Sequence, residues 1–141
     1  MNERGKKDAP AMAQRLRDKK IKIDAFISSP AKRAKKTARF FAEVYKKDKD
    51  DIIFCAELYG AGPQVFFTVI AATKNKFDSI AVFSHNPGIT DFANLLTVTK
   101  IDDIPTCGVF AVKADCSSWE NFKDAKKDFY FFCFPKDELL S

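Results

Sequence analysis

Two apolar runs, 21–28 and 79–84, each end in a polar loop that opens at once into a helical pattern. A strand that feeds directly into a helix, twice, restricts the chain to an α/β architecture with a mainly parallel sheet and helices on both faces. In the first unit Ile21 to Ser28 is rich in β-formers, and Ser29-Pro30 follows. Serine as cap and proline at the first helical position predict a helix from there to about Lys46. Ala34, Thr37, Ala38, Phe41 and Tyr45 share its inner face. In the second unit Ser79 to Ser84 has a nearly continuous apolar centre, as expected of a strand covered on both faces. His85-Asn86-Pro87-Gly88 forms a loop, and the helix predicted over 89–98 turns Ile89, Phe92, Ala93 and Leu96 inward.

The remaining segments extend this pattern. Asn2 is placed to cap a helix beginning at Glu3. Ala9, Met12, Ala13 and Leu16 then recur at helical spacing, and Lys19 and Lys20 suit the negative end of the helix dipole. Ile52 to Cys55 reads as a brief strand. Gly62-Pro63 opens another helix, with Val65, Phe66, Val69 and Ile70 inward. Val109 to Ala114 and Asp128 to Phe134 read as antiparallel strands around a polar loop holding the only tryptophan, Trp119. No repeat, low-complexity segment or linker interrupts the 141 residues, and a hydrophobic fraction of 46% can build a core. A single domain, 1–141, is expected.

Composition removes several function classes. The net charge of +5 arises from lysines interleaved with acids, as in Lys46-Lys47-Asp48-Lys49-Asp50-Asp51. No element alternates basic and aromatic residues, so no nucleic-acid partner is expected. No apolar run is long enough to span a membrane. The charged start, Met1 to Asp8, is neither a signal nor a transit peptide, and a cytoplasmic location is expected. Cys55, Cys107, Cys116 and Cys133 form no CxxC pair and have no histidine nearby. They are expected to be reduced, with no metal and no cofactor.

The two strand ends carry the chemistry. Ligands in parallel sheets bind outside the carboxyl ends of the strands. Arg33 falls in the first turn of its helix, where free N–H groups and the helix dipole favour an anion and a guanidinium can grip a phosphate. His85, the only histidine, stands at the equivalent end of the second strand, able to donate to a phosphoryl oxygen or to move a proton. Ser29 is chiefly a helix cap that could also touch a phosphate. Glu57, after a short strand, is a lesser candidate for proton donor. Capping or solvation accounts for Asp91 and Asn94. Thr106 and Cys107 are expected by position along the same edge.

Asn2-Glu3-Arg4-Gly5, then Ser28-Ser29-Pro30-Ala31-Lys32-Arg33-Ala34 with Thr37, then Ser84-His85-Asn86-Pro87-Gly88, in this order and separation, resemble the histidine phosphatase superfamily. The short chain, Ile104-Pro105-Thr106-Cys107-Gly108 and the Trp119 loop are similar to its SixA-type phosphohistidine phosphatases. The resemblance implies a phosphoglycerate mutase-like three-layer sandwich and a metal-independent phosphatase acting through a covalent phosphohistidine. It gives Arg33 and His85 the roles of second arginine and second histidine around the phosphoryl group. It further implies a phosphorylated protein, or a small phosphate ester, as partner of a monomeric enzyme. In the family the first, central strand ends in an arginine-histidine pair that supplies the nucleophile. This sequence contains no such pair, so the resemblance implies that the strand is missing from this chain and that the nucleophile lies upstream of Met1. The alternative is a catalytically inactive module that binds phosphorylated ligands.

Overall fold

The computed structural model describes residues 3–135. Its order of elements is α1 (Glu3–Asp18), β1 (Ala25–Ser28), α2 (Lys32–Val44), β2 (Ile53–Phe54), α3 (Pro63–Ala71), β3 (Ile80–Phe83), α4 (Gly88–Ala93), β4 (Val109–Asp115) and β5 (Lys126–Cys133). The cap expected from Asn2 lies outside the described residues.

β1 occupies the middle of a parallel three-stranded sheet ordered β2-β1-β3, with Ile27 opposite both Ile53 and Val82. Alternation along β1 sends Phe26 into one core and Ile27 into the other. On the Phe26 side lie Met12, Ala13 and Leu16 of α1 with Ala38, Phe41 and Ala42 of α2. On the Ile27 side lie Phe66, Val69 and Ile70 of α3 with Phe92 of α4, and Phe66 stacks on Phe92 at 4.8 Å. The predicted helical faces are therefore the faces that are used, and the result is helix, sheet, helix in three layers. β4 and β5 form a separate antiparallel pair, with Val109 opposite Cys133 and an irregularity between Ala111 and Val112.

β1, expected from Ile21, begins only at Ala25, and three further features differ from the sequence reading. α2 begins at Lys32, three residues beyond Ser29, whose N–H donates to the carbonyl oxygen of Phe83 at 2.9 Å and so continues the sheet. The Ser29 hydroxyl accepts from the N–H of Ala31 at 3.1 Å instead of capping the helix. α4 stops at Ala93, five residues early, and Asn94 ties the following turn by donating to the carbonyl of Ile101 and accepting from its N–H, both at 2.9 Å. The third difference concerns burial. β1 is buried throughout, whereas all four residues of β3 are only half-buried. Helices cover both faces of β3, as the apolar run predicts, but among the described residues its edge away from β1 pairs with no strand.

No helix among the described residues is long and apolar enough to cross a membrane.

Candidate active site at the carboxyl edge of the sheet

Parallel pairing makes the ends of β1, β2 and β3 coincide. Ser28 stands opposite Phe83 and Phe54, and its carbonyl oxygen accepts from the N–H of Cys55 at 2.9 Å. The loops that follow carry Ser29 to Arg33, Cys55 to Tyr59 and Ser84 to Gly88. Every candidate from these loops therefore stands on one edge, although more than 50 residues of chain separate Arg33 from His85.

Arg33 is exposed in the first turn of α2, and its guanidinium has no partner among the described residues. Thr37 fixes the backbone there by donating to the Arg33 carbonyl at 3.0 Å. Ala31, at the cap position, makes no side-chain bond to the helix, and no acid stands in the first turn. The N-terminal amides of a 13-residue helix thus remain uncapped beside an arginine, an arrangement that attracts an anion.

His85 is half-buried at the end of β3. Its ring meets Tyr59 edge to face at 5.7 Å, and its Nε2 accepts a long hydrogen bond, 3.4 Å, from the N–H of Gly60. His85 also borders a small cavity of about 230 Å³ between Gly60–Gly62 and Asn86–Gly88. Arg33, Ser29 and Glu57 do not line it.

A polar network behind the histidine fixes its loop. Asn86 donates through Nδ2 to Asp103 Oδ1 and to the Ile104 carbonyl, both at 2.9 Å. Thr90, buried, donates to Asn86 Oδ1 and accepts from the Ile104 N–H at 3.0 Å. The Asn86-Pro87 peptide is cis. Gly88 lies so close to the neighbouring loop that a Cβ there would meet the Ala61 carbonyl oxygen at 2.2 Å. Sequence reasoning missed Tyr59, Gly60, Thr90 and Asp103. Only the glycines of Gly60-Ala61-Gly62 hinted that a second backbone approaches His85.

The other candidates fall into place around this edge. Ser29 is wholly buried, with its hydroxyl committed to the Ala31 N–H. Glu57 is exposed, and the Cys55 thiol is raised by burial first and by the Glu57 carboxylate second. Cys107 has a left-handed backbone, φ 62°, and burial followed by the Asp8 charge pushes its thiol up to about 11. It is therefore no thiolate nucleophile at neutral pH. Among the described residues no cluster of three or more His, Cys, Asp or Glu could hold a metal ion.

Residues 1–58 match the sequence model of the histidine phosphatase superfamily (branch 1). A structure of the protein histidine phosphatase SixA complexed with tungstate superposes with a TM-score of 0.82, over 98% of this chain and 85% of that one, at 18% identity. The chain has the histidine phosphatase fold. A structure from Agrobacterium tumefaciens assigned as phosphohistidine phosphatase SixA gives a TM-score of 0.76 at 21% identity, covering 96% of this chain and 83% of that one. Another so assigned, from Nakamurella multipartitia, gives 0.72 at 16% identity, covering 92% and 80%. No curated protein matches the sequence. Within the histidine phosphatase fold, the carboxyl edge of the parallel sheet holds Arg33 and His85 on adjacent strand ends.

Proposed function

We propose that this chain belongs to a phosphohistidine phosphatase, in which Arg33 and His85 hold the oxygens of a phosphoryl group taken from a phosphorylated protein. The observation that carries this reading is the Ser29 N–H to Phe83 carbonyl bond of 2.9 Å, which joins the strand ends bearing an uncapped helix start with Arg33 on one side and His85 on the other. Two oxygens of a phosphoryl group between them would accept parallel bonds from the guanidinium, and an oxygen would also accept from the imidazole.

The nucleophile in this reading is a histidine supplied by a segment ahead of Met1. Its nitrogen forms a bond to phosphorus as the bond to the substrate imidazole breaks, and that imidazole takes up a proton as it leaves. Water then attacks phosphorus as the bond to the nucleophile's nitrogen breaks, so that inorganic phosphate leaves and the histidine is regenerated. Arg33 and His85 act in both steps by stabilising charge on the equatorial oxygens. Glu57, exposed on the same edge, is a candidate to deliver the proton. The short loops leave the edge open to a protein side chain, and the positive balance favours an acidic carrier protein, met in the cytoplasm by a monomeric enzyme.

The sequence holds one histidine and no arginine-histidine pair, which supports a second reading, a module that binds phosphorylated ligands without turnover. One experiment separates the two. A phosphohistidine peptide is incubated with this chain, and with the chain preceded by an in-frame segment ending in Arg-His. The phosphatase reading expects phosphate release only from the longer form, lost in His85→Ala. Tight phosphate binding with no release from either form would establish the binding module instead.

A further inference from the structure

α2 opens against its own electrostatics. Lys32, Arg33, Lys35, Lys36 and Arg39 place five cations in its first eight residues, and the only acid of the helix is Glu43, in the last turn. A helix start is the positive end of the dipole, where acids are favoured and cations are not. Lys32 and Lys36, and Lys35 and Arg39, are also i, i+4 neighbours of like charge, which repel. Nothing local offsets this, since no acid stands in the first turn and none of the five pairs with a carboxylate among the described residues. Packing does not require them either, because Ala34, Ala38, Phe41 and Ala42 form the buried face. The cations form the opposite stripe, with Lys32, Arg33 and Arg39 exposed and Lys35 and Lys36 half-buried. Charges that cost stability and have no partner inside the molecule mark a surface kept for a partner outside it.

The stripe does not stand alone. β2 lies at an edge of the described parallel sheet, and the Lys35 ammonium sits 5.5 Å from the centre of the Phe54 ring. Phe54 is 40% exposed, although it is large and apolar. Tyr59, on the loop that follows β2, is 68% exposed and meets His85 edge to face. Exposed aromatics beside arginine are the composition of protein interfaces. The positive field is also short, about 10 Å for seven helical rises. From Glu43 to Asp51 the chain carries four acids and three lysines, so beyond α2 the stripe gives way to mixed charge. A long polyanion would run past such a stripe, whereas a protein with one acidic patch matches it.

We propose that the outer face of α2, with Phe54 at its flank, is the docking surface for an acidic patch on the phosphorylated protein, beside the histidine that carries the phosphoryl group. The inference rests on the phosphohistidine reading, because Arg33 belongs both to the stripe and to the proposed phosphoryl site. It divides two tasks along one helix. Arg33 takes the phosphoryl oxygens, while Lys35, Lys36 and Arg39 hold the protein that presents them.

The test compares two synthetic peptides that carry the same stable phosphohistidine analogue, a phosphonate on a five-membered azole ring. One has glutamates beside it and the other serines. Binding to this chain is read by fluorescence anisotropy, and the ratio of the two affinities isolates docking from phosphoryl recognition. The acidic peptide should bind roughly tenfold or more tightly at low salt, and its advantage should shrink as salt screens the stripe. In Lys35→Glu/Lys36→Glu the advantage should vanish, while inorganic phosphate still displaces the serine peptide. The same variant should unfold at an equal or higher urea midpoint, because it removes like-charge pairs and puts acids nearer the positive end of the dipole. A variant that loses stability together with the acidic preference overturns the proposal, since the lysines are then structural. Equal binding of both peptides, each displaced by inorganic phosphate, overturns it and leaves the phosphatase reading standing. Failure of both peptides and of inorganic phosphate to bind overturns that reading and the proposal together. An oligothymidylate that binds more tightly than the acidic peptide, and is lost in the same variant, overturns the proposal in favour of a nucleic-acid surface.

Discussion

The N–H of Ser29 donates to the carbonyl oxygen of Phe83 at 2.9 Å. This one bond carries the pairing of β1 and β3 a residue past the strand and decides two things together. It keeps Ser29 in line with the sheet, ahead of a helix that begins at Lys32, and it sets the Arg33 helix beside the His85 loop. Under the proposed function, exposed Arg33 would serve as an anion ligand at little structural cost. Arg33→Ala should weaken tungstate or phosphate binding by about ten- to a hundredfold, the value of a charge-assisted contact. The midpoint of urea unfolding should move little, since an exposed side chain with no partner among the described residues is lost. Isothermal titration and urea unfolding check the pair of outcomes.

Gly88 predicts a steric result. An added methyl group would sit 2.2 Å from the Ala61 carbonyl, a backbone atom that cannot rotate away. Gly88→Ala should therefore push the His85 loop from the Gly60–Gly62 loop and cost about 1–3 kcal/mol of stability. Chemical denaturation measures the loss, and His85 ring resonances should shift in the same variant.

Thr90 predicts an electrostatic result. Its hydroxyl satisfies Asn86 Oδ1 and the Ile104 N–H at once. Thr90→Val keeps the shape and strands both partners, which should cost about 1–3 kcal/mol. Thr90→Ser retains the hydroxyl and should recover most of it. Equal losses in the two variants, measured by thermal unfolding, would mean that the methyl group and not the network matters.

Tyr45 predicts a pH dependence. Burial raises its hydroxyl to about 12, against an ordinary 10.0, and the nearby Arg17 opposes part of that rise. The neutral phenol also donates to the Ile21 carbonyl at 2.8 Å. A folded value above the unfolded one means that the contribution is complete below pH 10 and is lost as pH rises towards 12. Urea midpoints should fall across that window, and Tyr45→Phe should flatten the fall there. The Cys107 thiol, also raised, begins to contribute at lower pH, so a Cys107→Ser background isolates the tyrosine.

Much of this architecture is legible in the sequence because it rests on local period. Ala9, Met12, Ala13 and Leu16 are buried, as their spacing requires, and Pro63 opens α3 behind Gly62. Arg33 and His85 are legible as strand-end residues for the same reason. What misleads is competition from distant chain. Ser29-Pro30 carries a sound local signal for a helix start, yet Ser29 stays in the sheet by donating to Phe83, its hydroxyl closes a turn onto Ala31, and the helix starts at Lys32. The helix expected to reach Val98 ends at Ala93 because Asn94 closes a turn with Ile101, a preference periodicity does not contain.

The sequence by itself determined which residues turn inward, the alternation of strands and helices, and that Arg33 and His85 follow strand ends. These follow from side-chain chemistry repeating every two or 3.6 positions. Only the tertiary structure decided that β1 lies between β2 and β3, that Thr90 and Asp103 brace the His85 loop, and that β3 keeps one edge unpaired among the described residues. Strand order, bracing and an open edge depend on contacts between segments dozens of residues apart, and no local pattern encodes which edge finds which partner.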